Sequence, residues 1–501
     1  MSALAPILEL IAPDGKKLTL STGLFINNEF VRSDSGSKIT AIDPATEAEI
    51  CSVEAGSLDD VDRAVQAARA ALNHPSWRDL SGTERSTLMN RLADLLEQHK
   101  ETLATLETWN SGKPYQVVLD LDLQAAIGCI RYYAGWADKF HGQTIPTHSK
   151  KFAYTIRQPI GVCAQIIPWN YPILMAAWKL GPALATGNTI VLKPAEQTPL
   201  SILRIGDLIA KAEFPPGVVN IINGHGRDVG QALASHLGVD KVAFTGSTST
   251  GKLIQRAASA NLKSLTLETG GKSPLVVFDD ANITQAAKWG HMGIMSNQGQ
   301  ICTANSRLLV QEGIYDKFIE AFVEVLKSQK IGDPFASETF QGPQVSRAQY
   351  EKILSYVRSA KEEGAKLVAG GKPYDSGGKG YFIEPTVFKD VTSDMKIYRE
   401  EIFGPVVAIS RFGTEEQALQ MANETEYGLA ASVFTENIRL AHRMASRLEA
   451  GMVWINSSVD ADFRVPFGGV KQSGIGSELG EAGLEGYLQT KAVHLNMGTE
   501  I

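Results

Sequence analysis

"GVCAQIIPWNYPILMAAWKLGPALATGNTIVLKP", Gly161–Pro194, places one long apolar segment between two short ones. The short runs, "GVCAQIIP" and "NTIVLKP", are rich in β-branched residues and bounded by Gly, Asn and Pro, which predicts strands. The segment between them opens with Pro172, where proline suits the first turn of a helix, and it is apolar on all sides. A buried helix joining two strands that are apolar on both faces predicts a parallel sheet covered on both sides.

The pattern continues downstream. "PLSILRIGDLIAKA" reads as a helix, "GVVNIING" as a strand, "DVGQALASHL" as a helix and "KVAFTGS" as a strand. After about residue 270 the rhythm restarts with "SPLVVFDD", "SRLLVQ", the helical "YDKFIEAFVEVLKSQ" and "MVWIN". The predicted fold class is therefore α/β, with two doubly wound parallel-sheet domains meeting near Gly270–Gly271. Upstream, residues 24 to 55 read as short strands with turns at Asn27-Asn28 and Asp43-Pro44. Helices are predicted at about 58–73 and 84–110. Ser57 and Asp60 cap the first, and "NSGKP" stops the second.

A chain of 501 residues needs more than one core. Its 44% hydrophobic and 21% charged content is that of an ordinary globular protein. A net charge of −7 gives no footprint for nucleic acid or an anionic membrane. No apolar run is long enough to span a bilayer, and "MSALAPILEL" lacks the basic start of a signal peptide. The four cysteines, at 51, 129, 163 and 302, show neither disulfide-framework nor zinc spacing. A cytoplasmic location and no metal are expected.

Several segments carry chemistry. "NGHGRDVG" follows a strand, but Gly224, Gly226 and Gly230 make GxGxxxG, one residue longer than a dinucleotide fingerprint. "FTGSTSTGK" brackets hydroxyl residues between Gly246 and Gly251 at a helix start, where backbone N–H groups favour a pyrophosphate. Lys193 and Glu196 in "VLKPAE" follow a parallel strand, the end at which ligands bind open α/β sheets. Alone, KPAE reads better as a solvated loop with surface charges. Asn170 in "IIPWNYP", Glu268 in "LTLETGGKSP" and Cys302 in "GQICTANSR" each stand at an element end. Singly they read as a helix cap, a surface charge and a small buried hydrophobe. Together they can supply an oxyanion donor, a base and a nucleophile.

These stretches, with "EEIFGPV" and "PFGGVKQSG", resemble in order and spacing the signature segments of the NAD(P)-dependent aldehyde dehydrogenase superfamily. The resemblance runs from about Leu24 to His494 and is nearest the cytosolic and mitochondrial branch that forms free acids. It implies that Cys302 attacks an aldehyde, that Asn170 holds the oxyanion, and that Glu268 activates water against the thioester. Lys179 and Glu478 match positions that assist proton movement. Ile166, Trp169, Lys193, Glu196, Gly246, Ser247, Gly251, Glu401 and Phe403 match the site for NAD. Tyr171, Met175, Trp178, Ile301, Thr303, Val459, Ala461 and Phe467 match the substrate tunnel.

The implied division is 1–146 with 160–270 as the NAD-binding domain and 271–484 as the catalytic domain. Residues 147–159 and 485–501 form an oligomerisation arm, implying a homodimer or homotetramer. Thr269 stands where leucine is usual and Ser477 where a basic residue is common, and "SSVDADFRV" lacks the typical aromatic. Three alternatives stay open on residues alone: a cysteine hydrolase, which needs a histidine beside Cys302; a dehydrogenase passing its acyl group to coenzyme A, whose members usually lack the carboxylate at 268; and a non-catalytic structural protein.

Overall fold

The computed structural model describes residues 3–501. Five strands, Ser264–Glu268, Lys241–Thr245, Val162–Ile166, Thr189–Lys193 and Val219–Ile221, lie side by side in that order, all parallel. Their near-total burial matches their unbroken apolar sequence. The hairpin Leu24–Ile26/Glu29–Val31 extends one edge antiparallel. Asn27 and Asn28 turn it with φ of 53° and 62°, the two left-handed residues that a tight hairpin requires.

The order also fixes where a crevice opens. Val162–Ile166 pairs with Thr189–Lys193 on one side and Lys241–Thr245 on the other. The connections leave in opposite directions there, so a crevice opens at the carboxyl ends of these strands. Trp169 follows the first strand, and Gly246 and Ser247 follow the third.

A second sheet runs Lys366–Ala369, Thr386–Lys389, Val406–Phe412, Arg307–Gln311, Pro274–Val277, Ala430–Phe434, Met452–Ile455, parallel except for its first strand. A third, antiparallel sheet joins Leu488–Asn496 to Lys151–Pro159 and Thr144–Ile145.

Several details differ from the sequence expectation. The predicted helix 84–110 is two helices, Gly82–Gln98 and Lys100–Ser111, broken at His99. A hairpin, Ile7–Ile11 with Lys17–Ser21, precedes the strands anticipated from residue 24. The arm sheet begins at Thr144 rather than 147, and Gly474–Ile475, within the segment 271–484, pairs antiparallel with Leu267 and Glu268 of the first sheet. Gly474–Ile475 pairs with residues more than 200 positions away, which leaves no local trace, and Thr144–Ile145, although close to its partner, is only two residues long and too short to show a period. The stretch 226–235 begins as a wide turn, Gly226–Gly230, and only Gln231–Ser235 is α-helical.

Candidate active site

A cavity of about 450 Å³ lies among the first sheet's strand ends, the helix Pro172–Ala185 and the loops that lead into the second sheet. All eight expected tunnel residues line it, as do Asn170, Glu268, Cys302, Trp169, Gly246, Ser247, Glu401 and Phe403. Ile166, Lys179, Lys193, Glu196, Gly251 and Glu478 lie outside its lining.

Cys302 follows a strained turn. Asn297, Gln298 and Gly299 have φ of 47°, 59° and 72°, three successive left-handed residues. Such strain persists only where surroundings over-determine it, and it collects at functional sites. Gln298 is fully buried and donates to the carbonyls of Gly112 (2.9 Å) and Pro343 (3.0 Å). At Gly299 a Cβ would stand 2.1 Å from the Gly404 carbonyl oxygen, so only glycine fits. The turn delivers Cys302 half-buried into the cavity, before the strand Arg307–Gln311. Burial, then the charges of Glu401 and Glu268, push its thiol up to about 12, and the backbone N–H groups of Thr303 and Cys302 offset part of this.

Asn170 is not a helix cap; Tyr171 holds that position. Its side-chain amide donates to the Gln300 carbonyl at 2.8 Å, and its own carbonyl accepts from Asn297 at 3.0 Å. The amide has a second N–H. One hydrogen bond thus ties Asn170 to the cysteine turn while leaving a donor beside the cavity.

Glu268 ends the strand Ser264–Glu268, 2% exposed, with neither carboxylate oxygen hydrogen-bonded. It is no surface charge. Burial and the neighbouring Glu478 raise its carboxyl well above the usual range, against the pull of Lys179. The Lys179 ammonium, fully buried, pairs with Glu478 and donates to the Thr245 hydroxyl at 2.7 Å. Thr269, the departure from the commoner leucine, donates its hydroxyl to the Gln472 carbonyl at 2.7 Å, and Gly270 N–H donates to the Thr248 hydroxyl at 3.1 Å. The turn carrying Glu268 is thereby fixed at both sides.

A second group surrounds Lys193 and Glu196. Lys193 is 2% exposed, which rules out a solvated loop, and burial lowers its ammonium pKa. Glu196 accepts from Lys193 Nζ and from Gly226 N–H, each at 3.4 Å. The Gly226 contact places the set-aside GxGxxxG loop directly against the strand end. Burial acts against ionisation of Glu196, but Lys193 and these hydrogen bonds hold its pKa low. Ser247 caps the helix Thr248–Ala258, its side chain accepting from Thr250 N–H at 3.2 Å. Phe403 has φ of 61° and meets the Trp169 ring edge-on at 5.2 Å, its carbonyl accepting from Gln349 at 2.7 Å. Glu401 accepts from Gly271 N–H at 3.0 Å.

Lys113 and Asp122 also line the cavity, and nothing in the sequence reading singled them out. They form a buried ion pair, and the Lys113 ammonium sits 3.4 Å from the centroid of Tyr171. "NSGKP" signals a helix stop, and that signal hides the lysine's role. Lys113→Met strands the Asp122 carboxylate, so we expect a loss of about 3–5 kcal/mol. Denaturant unfolding measures it; an unchanged midpoint would show the pair to be dispensable.

His291, the histidine nearest Cys302 in sequence, packs against Phe340 at 5.0 Å and Phe322 at 6.1 Å, its Nε2 unpartnered. Burial lowers its pKa to about 4. It makes no thiol–imidazole pair of the kind that a cysteine hydrolase needs.

Comparison with known proteins agrees with this geometry. Residues 30–493 match the model of the aldehyde dehydrogenase family. The chain belongs to that family. An aldehyde dehydrogenase of Emericella nidulans is 54% identical over 477 residues, 95% of each chain. Retinal dehydrogenase 2 of Rattus norvegicus is 51% identical over 495 residues, 98% of this chain and 95% of that one. Among solved structures, the NAD+ complex of an aldehyde dehydrogenase from Bacillus cereus superposes with a TM-score of 0.94 at 47% identity, over 95% of this chain and 97% of that chain.

Proposed function

We propose that this enzyme oxidises an aldehyde to its carboxylic acid with NAD and water, through a thiohemiacetal and then a thioester on Cys302. The observation that carries the reading is the meeting of a half-buried thiol and an orphaned buried carboxylate, Glu268, in one cavity walled by Met175, Trp178 and Phe467. A panel of aldehydes, followed by absorbance of the reduced cofactor, tests it; no turnover with any aldehyde would refute it.

The residues present fit a dinucleotide. Lys193 and Glu196 stand at a strand end as paired donor and acceptor, suited to ribose hydroxyls. Gly246 and Ser247 open an 11-residue helix whose first-turn N–H groups attract phosphate. Glu401, Phe403 and Trp169 reach the same cavity as Cys302, suiting the redox end, and Ile166 and Gly251 support the strand and helix of this site. When bound, NAD supplies the hydride acceptor.

The chain's own groups do the remaining work. Glu268 takes the thiol proton and later that of water. Asn170, with the Cys302 backbone N–H, donates to the oxyanion of the tetrahedral adducts. Lys179 and Glu478, paired behind Glu268, carry protons away. Water as acyl acceptor is favoured over coenzyme A by the carboxylate at 268. On this reading residues 1–146 and 160–270 hold the cofactor and 271–484 present the thiol. The Lys151–Pro159 and Leu488–Asn496 strands, with Phe152, Ile156 and Leu495 partly exposed, pair with another copy in a homodimer or homotetramer. A reducing, cytoplasmic setting suits four free cysteines. No helix among the described residues is long and apolar enough to cross a membrane.

Glu196 sets the choice of NAD over NADP, because a carboxylate accepts from a 2′-hydroxyl and repels a 2′-phosphate. Glu196→Gln narrows the preference roughly tenfold, about 1.4 kcal/mol. The ratio of kcat/KM for the two cofactors measures this, and equal efficiency in the unmodified enzyme would overturn it. Val459 and Ala461 are small, favouring a medium or bulky aldehyde. Asp460 and Asp462 would suit a cationic aminoaldehyde instead; of the two, Asp462 is already paired with the Arg464 guanidinium through both oxygens.

A further inference from the structure

Segment 456–465 contributes Val459 and Ala461 to the cavity wall. Val459 has φ of 49°. A β-branched residue in the left-handed region is a genuine outlier, so something must hold it there. The segment is fastened at several points. Asn456 exchanges side-chain hydrogen bonds with Thr435 N–H and carbonyl, each 3.1 Å. The Trp454 indole donates to the Asp460 carbonyl at 2.9 Å. Fully buried Ser458 donates to the Asn305 side chain, three residues beyond Cys302.

Two further fastenings are helical glycines: Gly128, mid-helix, where glycine is unfavourable and a packing reason is expected, and Gly293, in the last turn of its helix. In the helix Ile283–Met295, a Cβ on Gly293 would lie 2.5 Å from both Ser458 Oγ and Asn305 Oδ1. Gly290 of the same helix has nothing nearer than 3.7 Å, so the crowding is particular to Gly293. In the helix Leu123–Ala134, a Cβ on Gly128 would lie 2.7 Å from Phe463 Cε1 and 3.1 Å from Cζ. The Phe463 ring also packs on Tyr132 of that helix at 5.7 Å, and its carbonyl accepts from Gly480 N–H at 3.0 Å. Ala125, one turn before Gly128, lines the cavity itself.

We infer that Gly128 and Gly293 are notches that seat Phe463 and Ser458 and so stretch segment 456–465 as a strap across the substrate mouth. They are positioning residues: neither touches substrate, and both act on aldehyde selectivity through Val459 and Ala461. This rests on the reading of the cavity as the aldehyde site.

The test replaces Gly128 with leucine and compares cinnamaldehyde with propanal. The added side chain drives Phe463 off the helix and into the mouth. The kcat/KM ratio of cinnamaldehyde to propanal falls about tenfold or more, through KM, on the scale that pocket-shape changes produce. The burst of reduced cofactor with propanal keeps its amplitude. Removing the displaced ring in Gly128→Leu/Phe463→Ala brings the ratio back to within about threefold of the unmodified enzyme. A purely structural glycine would lower stability without moving the ratio. An unchanged ratio in folded Gly128→Leu, or failure of the second change to restore it, overturns the inference. Should Gly128→Leu not fold, Gly128→Ala carries the same test with a fall of about threefold, and no fall overturns it. Absence of propanal turnover in the unmodified enzyme would instead refute the functional reading.

Discussion

Cys302→Ala abolishes aldehyde oxidation, by at least about 10⁴-fold, and leaves NAD binding intact. The two halves of this expectation have different structural origins. The thiol is the candidate nucleophile, and no other cysteine lines the cavity: Cys129 and Cys163 are buried in the core and Cys51 lies elsewhere. Nothing else there offers a comparable nucleophile, so no slower route replaces the lost one. The proposed cofactor contacts, by contrast, belong to strand ends and a helix start in the first sheet, and to Glu401 and Phe403. None of them depends on the sulfur. Alanine also fits a turn whose geometry is set by Gly299 and the side chains of Asn297 and Gln298. Steady-state assay measures the loss, and quenching of tryptophan fluorescence by NAD measures the binding. Oxidation surviving at more than about one hundredth of the unmodified rate would remove Cys302 from its role.

The first sheet's parallel strands and, in the second sheet, Pro274–Val277, Arg307–Gln311 and Met452–Ile455 are legible as short apolar runs. Thr386–Lys389, Val406–Phe412 and Ala430–Phe434 are equally buried but are not picked out, because periodicity alone does not tell a short apolar run from a buried helix. Asn170, Glu268 and Cys302 were legible as element-end residues, but only family resemblance joined them. Their convergence depends on contacts such as Asn170 with Gln300, spanning 130 positions. Burial was the harder quantity. Lys193 and Glu268 look like surface charges in sequence, since charged residues are seldom fully buried unless paired. Lys193 has such a partner in Glu196, but Glu268 has none. The Lys113–Asp122 pair and the glycine notches stayed hidden for a related reason. Gly128 announces itself only as a weak helix position, and what fills the space beside it lies 335 residues away along the chain, at Phe463.

Glu268→Gln separates two proton transfers that one carboxylate serves. A thiol that burial and nearby carboxylates push up to about 12 is almost wholly protonated at pH 7, so attack on the aldehyde requires a base. Glu401 and Glu268 are the two buried carboxylates whose charges act on Cys302; Glu401 already accepts from Gly271 N–H, whereas neither oxygen of Glu268 is hydrogen-bonded, which leaves Glu268 free to take a proton. Its own raised pKa makes it a stronger base than an exposed glutamate, but one that accepts protons only once ionised. Activity in the unmodified enzyme therefore climbs as pH rises through that elevated value, and falls below it, where the carboxyl is neutral. Glutamine is close in size and shape and cannot accept the proton. In the variant we expect a slower burst that still reaches one reduced cofactor per active site, because hydride departure needs no base after the thiohemiacetal has formed. Hydrolysis of the thioester then limits turnover, with steady-state rate down by about 10²–10⁴-fold. The rising limb set by the carboxylate is lost, and what rise remains moves to higher pH, where the thiol itself ionises. Rapid-mixing traces of cofactor reduction at several pH values read all three effects. Turnover at the unmodified rate would show that Glu268 is not the base. A burst of normal speed would confine its role to water, and no burst at all would place its essential action before the thioester.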